Sequence, residues 1–482
     1  MDRSTKPSFH FVNLTHPDDL KDEETQLRIR QLAMTEFAKS RKKPKTRREH
    51  NEIVLEIRPT PDNSQPHLER IGGGSVDPFC AYPIELDDSA RNLLSNIFRP
   101  TTNHSSQLRG SWFPVGLSCA AAFHCVLSNA QLFVYQKKHG FFPSQDDAVA
   151  LSYHHKALRF TSEMIKDPSK HKSDEILGAV TGFMCHHAVL GNFNSGDWQK
   201  HRSALARMVA LRGGFDKIDK EHLRITLTWV DLAGCFSQDI PPIVPLPQQW
   251  KAASASPPHS PRPLSPVSLA WKQRLPLQLD WITIFDDVGQ LISLDRAFTG
   301  EQLMLANTSG SWMEPAMYRL LAIRPLKHGI DPENVMEEVC RLGTLLFLSP
   351  FWRLLGQSPV WTAAISRNLL LVLTENKVQW NELKPLLVWT LYFAAIETND
   401  LSERSLYVSM LAAVMMSMQL QQWDEIMQVL QGVLWVDKVF AGTDELIRDE
   451  VMRIVNKEPI GTVPLGTAAE LWEDFPGEVD KR

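Results

Sequence analysis

The chain has 482 residues, of which 43% are hydrophobic and 22% are charged, and its formal net charge at pH 7 is −5. This composition is that of an ordinary globular protein, and the acidic balance excludes a broad surface that coats nucleic acid. The length is enough for a large core and for about two to four domains.

The first predicted element is a charged helix within residues 1–50. It begins at Pro17, which the first turn of a helix tolerates, and Leu20, Leu27 and Met34 form an apolar stripe with seven-residue spacing. Acidic residues follow Pro17, at the positive end of the helix dipole. No apolar stretch precedes this helix, so we expect no secretory signal.

The charged segment ends in the sequence KSRKKPKTRR, which places seven cations in an otherwise acidic chain. Pro44 disfavours helical geometry at the preceding residue, so we expect this basic block to be extended and exposed. Such a block is typical of a nuclear-import address or of a phosphate contact, and a merely solvated run of charge is the alternative. The candidate residues are Lys39, Arg41, Lys42, Lys43, Lys45, Arg47 and Arg48.

Residues 51–110 are predicted to be irregular, with loops and at most short helices, because they are rich in proline and glycine. From about Trp112 the pattern becomes helical, and residues 111–240 form a first helical half. Its candidate elements are an apolar stretch at 117–133 and helices from Asp146 to Lys166, Ser173 to Leu190, Asp197 to Arg212 and Lys220 to Phe236.

Two of these helices carry clear end signals. Ser173 is placed to cap the N-terminus of its helix, and Gly213 follows the last residue of the helix that begins at Asp197. Along the latter helix, Trp198, Leu205 and Met208 share a face, which we expect to lie in the core.

Residues 241–278 are predicted to be a Pro/Ser-rich linker, since nine of the 31 prolines lie between Pro241 and Pro266. A second helical half covers 279–457, and a loosely ordered tail covers 458–482. The helices predicted in this half span about 280–296, 312–325, 331–348, 359–376, 379–397, 400–419, 421–437 and 442–456.

These patterns together predict an all-α protein, either a helical bundle or a solenoid-like array of antiparallel helices. No segment shows sustained alternation of apolar and polar residues. The longest apolar runs, about 385–396 and 408–418, are shorter than the roughly 18 residues that cross a bilayer. We therefore expect a soluble, intracellular protein without a membrane partner.

Residues that could carry chemistry are few. The six cysteines include no CxxC pair, which excludes a conventional zinc finger or a binuclear zinc cluster and favours packed, reduced thiols. The sequence Cys185-His186-His187 cannot converge on one ion, because neighbouring helical side chains point about 100° apart. No set of residues has the spacing of a catalytic site, so we expect no enzyme activity, no metal and no cofactor.

Two groups of large apolar residues have two open interpretations. They could border a ligand pocket, or they could simply fill the core, which is the favoured interpretation for the methionines. The first group is Met410, Met415, Met416 and Met418, and the second is Trp361, Trp380 and Trp389.

Several segments, taken in their order along the first 250 residues, resemble the fungal-specific transcription factor proteins with an all-helical regulatory domain. More narrowly, the chain resembles the branch that lacks the zinc cluster. The segments are Phe11-Val12-Asn13, Thr15-His16-Pro17, the run from Arg28 to Met34, Gly72-Gly73-Gly74, Asp77-Pro78-Phe79, Tyr82-Pro83, Trp198-Gln199-Lys200-His201, Met208-Val209, Arg212-Gly213-Gly214 and Asp231.

The resemblance implies a nuclear regulator of transcription by RNA polymerase II that acts through its helical domain. The implied partners are a nuclear import receptor and other transcription proteins. Without a zinc cluster, contact with DNA should be weak or indirect. The alternatives are a helical scaffold or small-ligand-binding protein with no role on nucleic acid, and a membrane-surface protein that uses the basic N-terminal helix.

Overall fold

The computed structural model describes residues 82–98, 106–143, 147–247, 250, 280–294, 313–354 and 359–456. All of them belong to one compact unit, residues 66–482. Within these ranges every regular element is a helix and none is a strand, which confirms the predicted all-α class. The charged N-terminal helix, the basic block, most of the Pro/Ser-rich stretch and the C-terminal tail lie outside the described residues.

The helices before the Pro/Ser-rich stretch are numbered here in chain order. They are α1 (Asp88–Ile97), α2 (Ser106–Gly116), α3 (Ala120–His139), α4 (Ala148–Ile165), α5 (Asp174–Leu190), α6 (Asp197–Arg212) and α7 (Glu221–Gln238).

The helices after that stretch continue the numbering. They are α8 (Asp280–Leu294), α9 (Met313–Ala322), α10 (Pro332–Leu354), α11 (Ala363–Glu375), α12 (Lys384–Glu397), α13 (Leu401–Ser417), α14 (Trp423–Val433), α15 (Asp437–Phe440) and α16 (Glu445–Val455).

The predicted end signals of α5 and α6 are confirmed. The Ser173 hydroxyl accepts a hydrogen bond from the backbone N–H of Ile176, which caps α5. Helix α6 has the predicted bounds, and Gly213 ends it in the left-handed conformation with φ 99°. Trp198 and Leu205 are fully buried, whereas Met208 is partly buried against the same core.

The structure defines the N-terminal part of the described chain more closely than the sequence did. Helix α1 is a short helix in the interval where loops and at most short helices were expected, with Asp87 as its N-cap and an apolar face spaced three and four residues apart. In addition, the apolar stretch at 117–133 is not one element. The chain breaks after Gly116, and Cys119 caps the new helix α3.

Helix α3 is the centre of the first group of helices, where it packs against α1, α2, α4 and α5. Its residues 121–128 are all buried, and Gly140 in the left-handed conformation ends it after three basic residues. Helices α5 and α7 then join this group to the rest, since α7 contacts α2 and α5 on one side and α9 and α11 on the other.

The second group of helices is organised around α10 and α12. Phe347 on α10 lies at the middle of an aromatic cluster, with ring centroids 5.1 Å from Trp389, 5.0 Å from Phe393 and 5.3 Å from Phe440. A single apolar cluster continues from Val115 in the first group to Val451 in the last helix, so both groups share one core. None of the described helices is long and apolar enough to cross a membrane.

Asp231 on α7 fixes the start of the Pro/Ser-rich stretch. One carboxylate oxygen accepts from Nε of Arg202 at 2.7 Å, and the other accepts from the backbone N–H groups of Ile243 and Val244 at 2.8 and 3.0 Å. The guanidinium of Arg202 also lies over the Trp198 ring, 5.4 Å from its centroid. The Asp that the family resemblance singled out therefore ties α6, α7 and the following segment together.

Asp239, which ends α7, carries a buried ionic network that links both groups of helices. Its carboxylate accepts from Nη1 and Nη2 of Arg341 on α10 at 2.9 and 3.0 Å, and from Nη1 of Arg324 after α9 at 2.8 Å. The side-chain amide of Asn368 on α11 donates at 2.9 Å. Arg341 is fully buried and also donates to both carboxylate oxygens of Glu338.

Removal of the Asp239 carboxylate should destabilise the protein strongly. Asp239→Ala leaves the buried charge of Arg341 only partly compensated, and we expect a loss of about 3–5 kcal/mol in the free energy of unfolding by urea. Asp197→Ala is the matched control, because Asp197 pairs with the exposed Lys200, and it should cost at most about 1 kcal/mol. Equal losses in the two variants would contradict this role for Asp239.

The pH dependence of the free energy of unfolding, measured for the wild-type protein and for Asp239→Ala, gives a second test of this role. Burial by itself raises the pKa of Asp239, but the charges of Arg341 and Arg324 outweigh it and hold that pKa below its ordinary value. The stabilisation is therefore complete above the pKa of an unfolded Asp, about 3.9, and is lost as the pH falls through the lower folded pKa.

Close packing of α6 on α7 depends on a glycine. A Cβ atom added at Gly234 would overlap the Trp198 indole, whereas one added at Gly432 on α14 would meet no atom within 4 Å. We expect Gly234→Ala to destabilise the protein by about 1–3 kcal/mol or more through overpacking. Gly432→Ala should stabilise it by about 0.4–1 kcal/mol, because alanine has less conformational freedom to lose on folding than glycine.

Thermal and urea unfolding of the two alanine variants measure this difference. A stable Gly234→Ala protein would mean that Trp198 can leave its position at little cost.

Candidate functional site

A pocket with a cavity volume of about 100 Å³, partly open to solvent, lies where the first group of helices meets the end of α10. Its walls come from α2, α3, α5 and α7, and it is closed on one side by Trp352 and by Pro359 and Val360 of the loop before α11. This is room for about one aromatic ring inside the pocket, and the rest of a larger ligand would lie at its open side. The pocket is the candidate functional site in the described part of the chain.

Small residues on α5 let the neighbouring helices approach one another beside the pocket. A Cβ atom at Gly182 would lie 2.5 Å from Cβ of Cys125 on α3, and one at Gly178 would lie 2.9 Å from Cγ1 of Val115 on α2. Any larger residue would push these helices apart. The glycines therefore set the width of the pocket at its α5 wall.

The wall facing the second group of helices is anchored at the C-terminus of α5. The Trp361 indole N–H donates to the carbonyl of Ala188 at 2.8 Å, and its ring packs on Gly191, where a Cβ atom would lie 2.7 Å from ring carbon Cε2. Gly191 has φ 67°, which favours glycine for a second reason. This contact holds the loop with Pro359 and Val360 against the pocket.

Among the residues that the structure describes, those that line the pocket include no charged side chain. Aromatic rings are contributed by Trp112, Phe133, Trp229 and Trp352, and the other lining residues are mostly Ala, Val and Gly. The Trp352 ring packs edge-to-face on Phe236, and its indole N–H is buried without an acceptor among the described residues. A ligand in this pocket would therefore meet apolar surface and ring faces.

The polar groups of the lining are largely engaged within the protein. The hydroxyls of Thr181, Thr226 and Ser237 donate to carbonyls one turn earlier in their own helices, at 2.6–2.8 Å. The side-chain oxygen of Asn129 lies 3.2 Å from Nδ1 of His186. The hydroxyl oxygens can still accept hydrogen bonds and the Asn129 amide can donate them, but none of these groups is a charged anchor.

Two thiols, Cys125 and Cys185, also line the pocket. Burial raises the pKa of Cys185 to about 12 and that of Cys125 well above its ordinary value. The Cys125 thiol points to the carbonyl of Ala179 at 3.8 Å. Because the thiolate is the reactive form, both side chains serve as apolar packing groups here and not as nucleophiles.

Alkylation should reveal this low reactivity. In the folded protein near pH 8, iodoacetamide should modify Cys125 and Cys185 far more slowly than it modifies the same residues after unfolding in urea, because burial and the raised pKa both suppress the thiolate. Peptide mass spectrometry gives the rate at each cysteine. Equal rates in the folded and unfolded chains would show that the pocket thiols are exposed and reactive.

Most residues singled out in the sequence lie outside this pocket. His186 is buried, with its ring centroid 4.3 Å from that of His154, and His187 stacks on His201 at 5.4 Å. Among the residues that the structure describes, no group of three or more His, Cys, Asp or Glu side chains could hold a metal ion. Of Cys185-His186-His187, only Cys185 borders the pocket.

The methionines and tryptophans are divided between core and contact roles. Met410 and Met415 are buried in the core, as is Trp389, whose indole N–H donates to the carbonyl of Leu434 at 2.8 Å. Trp361 does not line the pocket, but its hydrogen bond to the carbonyl of Ala188 fixes the neighbouring residue Val360, which does. The pocket itself was missed, because its residues come from six separate segments. The one local signal is the small pair Gly178 and Gly182 on a single helix face.

The predicted import residues cannot be placed in this geometry. Lys39, Arg41, Lys42, Lys43, Lys45, Arg47 and Arg48 all lie outside the described residues, so their role stays a prediction.

The described helices thus share a large apolar core, and an apolar pocket lies beside it where the two groups of helices meet. Residues 87–435 match the family model for the fungal specific transcription factor domain. The match covers well over half of the chain, and the protein belongs to this family. Its coarse function is accordingly transcription regulation. No curated protein and no solved structure matches the chain significantly.

Proposed function

We propose that the protein is a nuclear regulator of transcription that acts through its helical domain and has no zinc-cluster DNA reader of its own. The observation that carries the proposal is the family match over residues 87–435. The sequence supports the second part, because its six cysteines include no CxxC pair. The helical domain would then bind other transcription proteins, and contact with DNA would be weak or indirect.

The basic block supplies the nuclear address in this proposal. Its seven cations stand in a chain with net charge −5, and Pro44 interrupts any helix at its centre. Import receptors read short cationic strings in extended form, which such a block can adopt. The same cations would contact DNA only through phosphates, and such contacts position a protein without specifying bases.

Replacing Arg41, Lys42, Lys43, Lys45, Arg47 and Arg48 by Ala in the tagged full chain should move it from the nucleus to the cytoplasm. The stability of the helical domain should change little, since exposed charges contribute little to it. Fluorescence microscopy gives the nuclear fraction, and urea unfolding of the purified variant gives the stability.

A matched control removes six exposed cations from the helical domain instead. These are Lys137, Lys138, Lys156, Arg159, Lys200 and Arg207. This variant has the same net charge as the first and should stay nuclear. A nuclear six-Ala variant of the basic block would contradict the import role. Tight binding of the purified protein to one DNA sequence at physiological salt would contradict the absence of autonomous recognition.

The second candidate function is a small-ligand-binding or scaffold protein with no role on nucleic acid, which the apolar pocket favours. Chromatin crosslinking of the tagged full chain separates the two candidates. Enrichment at promoters supports the regulator, and a uniform background at all loci supports the alternative.

A further inference from the structure

We infer that the pocket between α3, α5 and α7 binds an uncharged, predominantly apolar small molecule that places an aromatic ring in it. The inference deepens the proposed function, because it assigns a ligand class to the regulatory domain. It concerns binding by the purified protein, however, so the ligand inference can fail while the proposed regulation of transcription holds. The proposed regulation can equally fail while the ligand inference holds.

The charge of the ligand follows from the lining. Within the described part of the chain, no Lys, Arg, Asp, Glu or His side chain lines the pocket, and its hydroxyls already donate to carbonyls of their own helices. A charged group placed there would lose its hydration without gaining an ionic partner, which is costly. The pocket therefore selects against ions of either sign.

The ring follows from the aromatic walls. Trp112, Trp229 and Trp352 lie on α2, α7 and α10, so the indoles border the pocket from three different helices. A flat, apolar ligand buries the most surface against such walls and gains ring–ring contacts as well.

Because the pocket lies between the two groups of helices, a bound ligand could affect how these groups pack together. Ala233 on α7 and Cys125 on α3 face the same space as Val360, which belongs to the loop that Trp361 attaches to α5. A bound molecule would contact both groups of helices at once. Because it would bind the docked arrangement better than a loosened one, it should stabilise the docking of one group on the other.

The test uses two fluorescent probes that share one anilinonaphthalene skeleton. N-phenyl-1-naphthylamine is neutral, and 8-anilinonaphthalene-1-sulfonate is its anionic counterpart. Titration of the purified full chain should give saturable binding of the neutral probe, at least about tenfold tighter than that of the anion. The neutral probe should also raise the melting temperature.

Two variants place the binding in this pocket. Ala233→Phe fills it from α7, and Val360→Trp narrows it from a loop, where a larger side chain disturbs helix packing least. Each should weaken binding of the neutral probe at least about tenfold. Ala210→Phe is the control, since it adds the same ring at an exposed position of α6 outside the lining, and binding should not change.

Three results would overturn the inference. They are no saturable binding of the neutral probe, equal affinity for the neutral and anionic probes, and unchanged affinity in folded Ala233→Phe and Val360→Trp proteins. The comparison of probes uses the wild-type chain, so it decides the inference even where a variant does not fold.

Discussion

The carboxylate of Asp239 is the point on which the two groups of helices depend. Residue Asp239 ends α7 in a left-handed backbone conformation. Its carboxylate accepts hydrogen bonds from Arg341, Arg324 and Asn368, which lie on or beside three other helices. Buried ionic networks of this kind add little net stability compared with apolar packing, because desolvation offsets most of the attraction. What they enforce is geometry. An apolar interface tolerates sliding by a fraction of a turn, whereas a carboxylate held by two guanidinium groups does not, and so the network fixes how α9, α10 and α11 sit on α7.

The pocket is a consequence of that fixed docking. Where α5 presents Gly178 and Gly182, the helices come together closely, and where α7 presents Trp229 and Ala233, they do not. A space therefore remains between elements whose relative position is set elsewhere. The loop on one side of the space is held in place by the hydrogen bond from Trp361 to the carbonyl of Ala188 on α5. A preformed apolar cavity in a rigid frame costs a ligand little reorganisation, which is the condition for useful affinity in a small site.

The sequence predicted the helices well where their signals are local. Helix α6 was placed to the residue by its glycine stop, and α5 by the Ser173 cap, since caps and stops act within one turn. Helix α1 was not located, although short helices were allowed in its interval, because proline and glycine nearby obscured the signal of Asp87 and the apolar spacing. The ionic network and the pocket could not be predicted at all. Asp239 and Arg341 are 102 residues apart, and nothing in either local sequence shows that they meet. The basic block lies outside the described residues and remains a prediction from sequence.

Both ends of the Pro/Ser-rich stretch are held firmly, with Val244 bonded to Asp231 and Trp281 donating from its backbone N–H to Glu337 and from its indole to Thr344. The chain between these two anchors therefore begins and ends at fixed positions, and the entropic cost of fixing both ends depends only weakly on the number of residues between them. Loop-closure entropy grows only slowly, by about 0.6 kcal/mol for each doubling in length. Insertions, deletions and new recognition sequences can thus accumulate between these anchors at little cost to folding. Related chains can differ widely there while they keep the same helical frame.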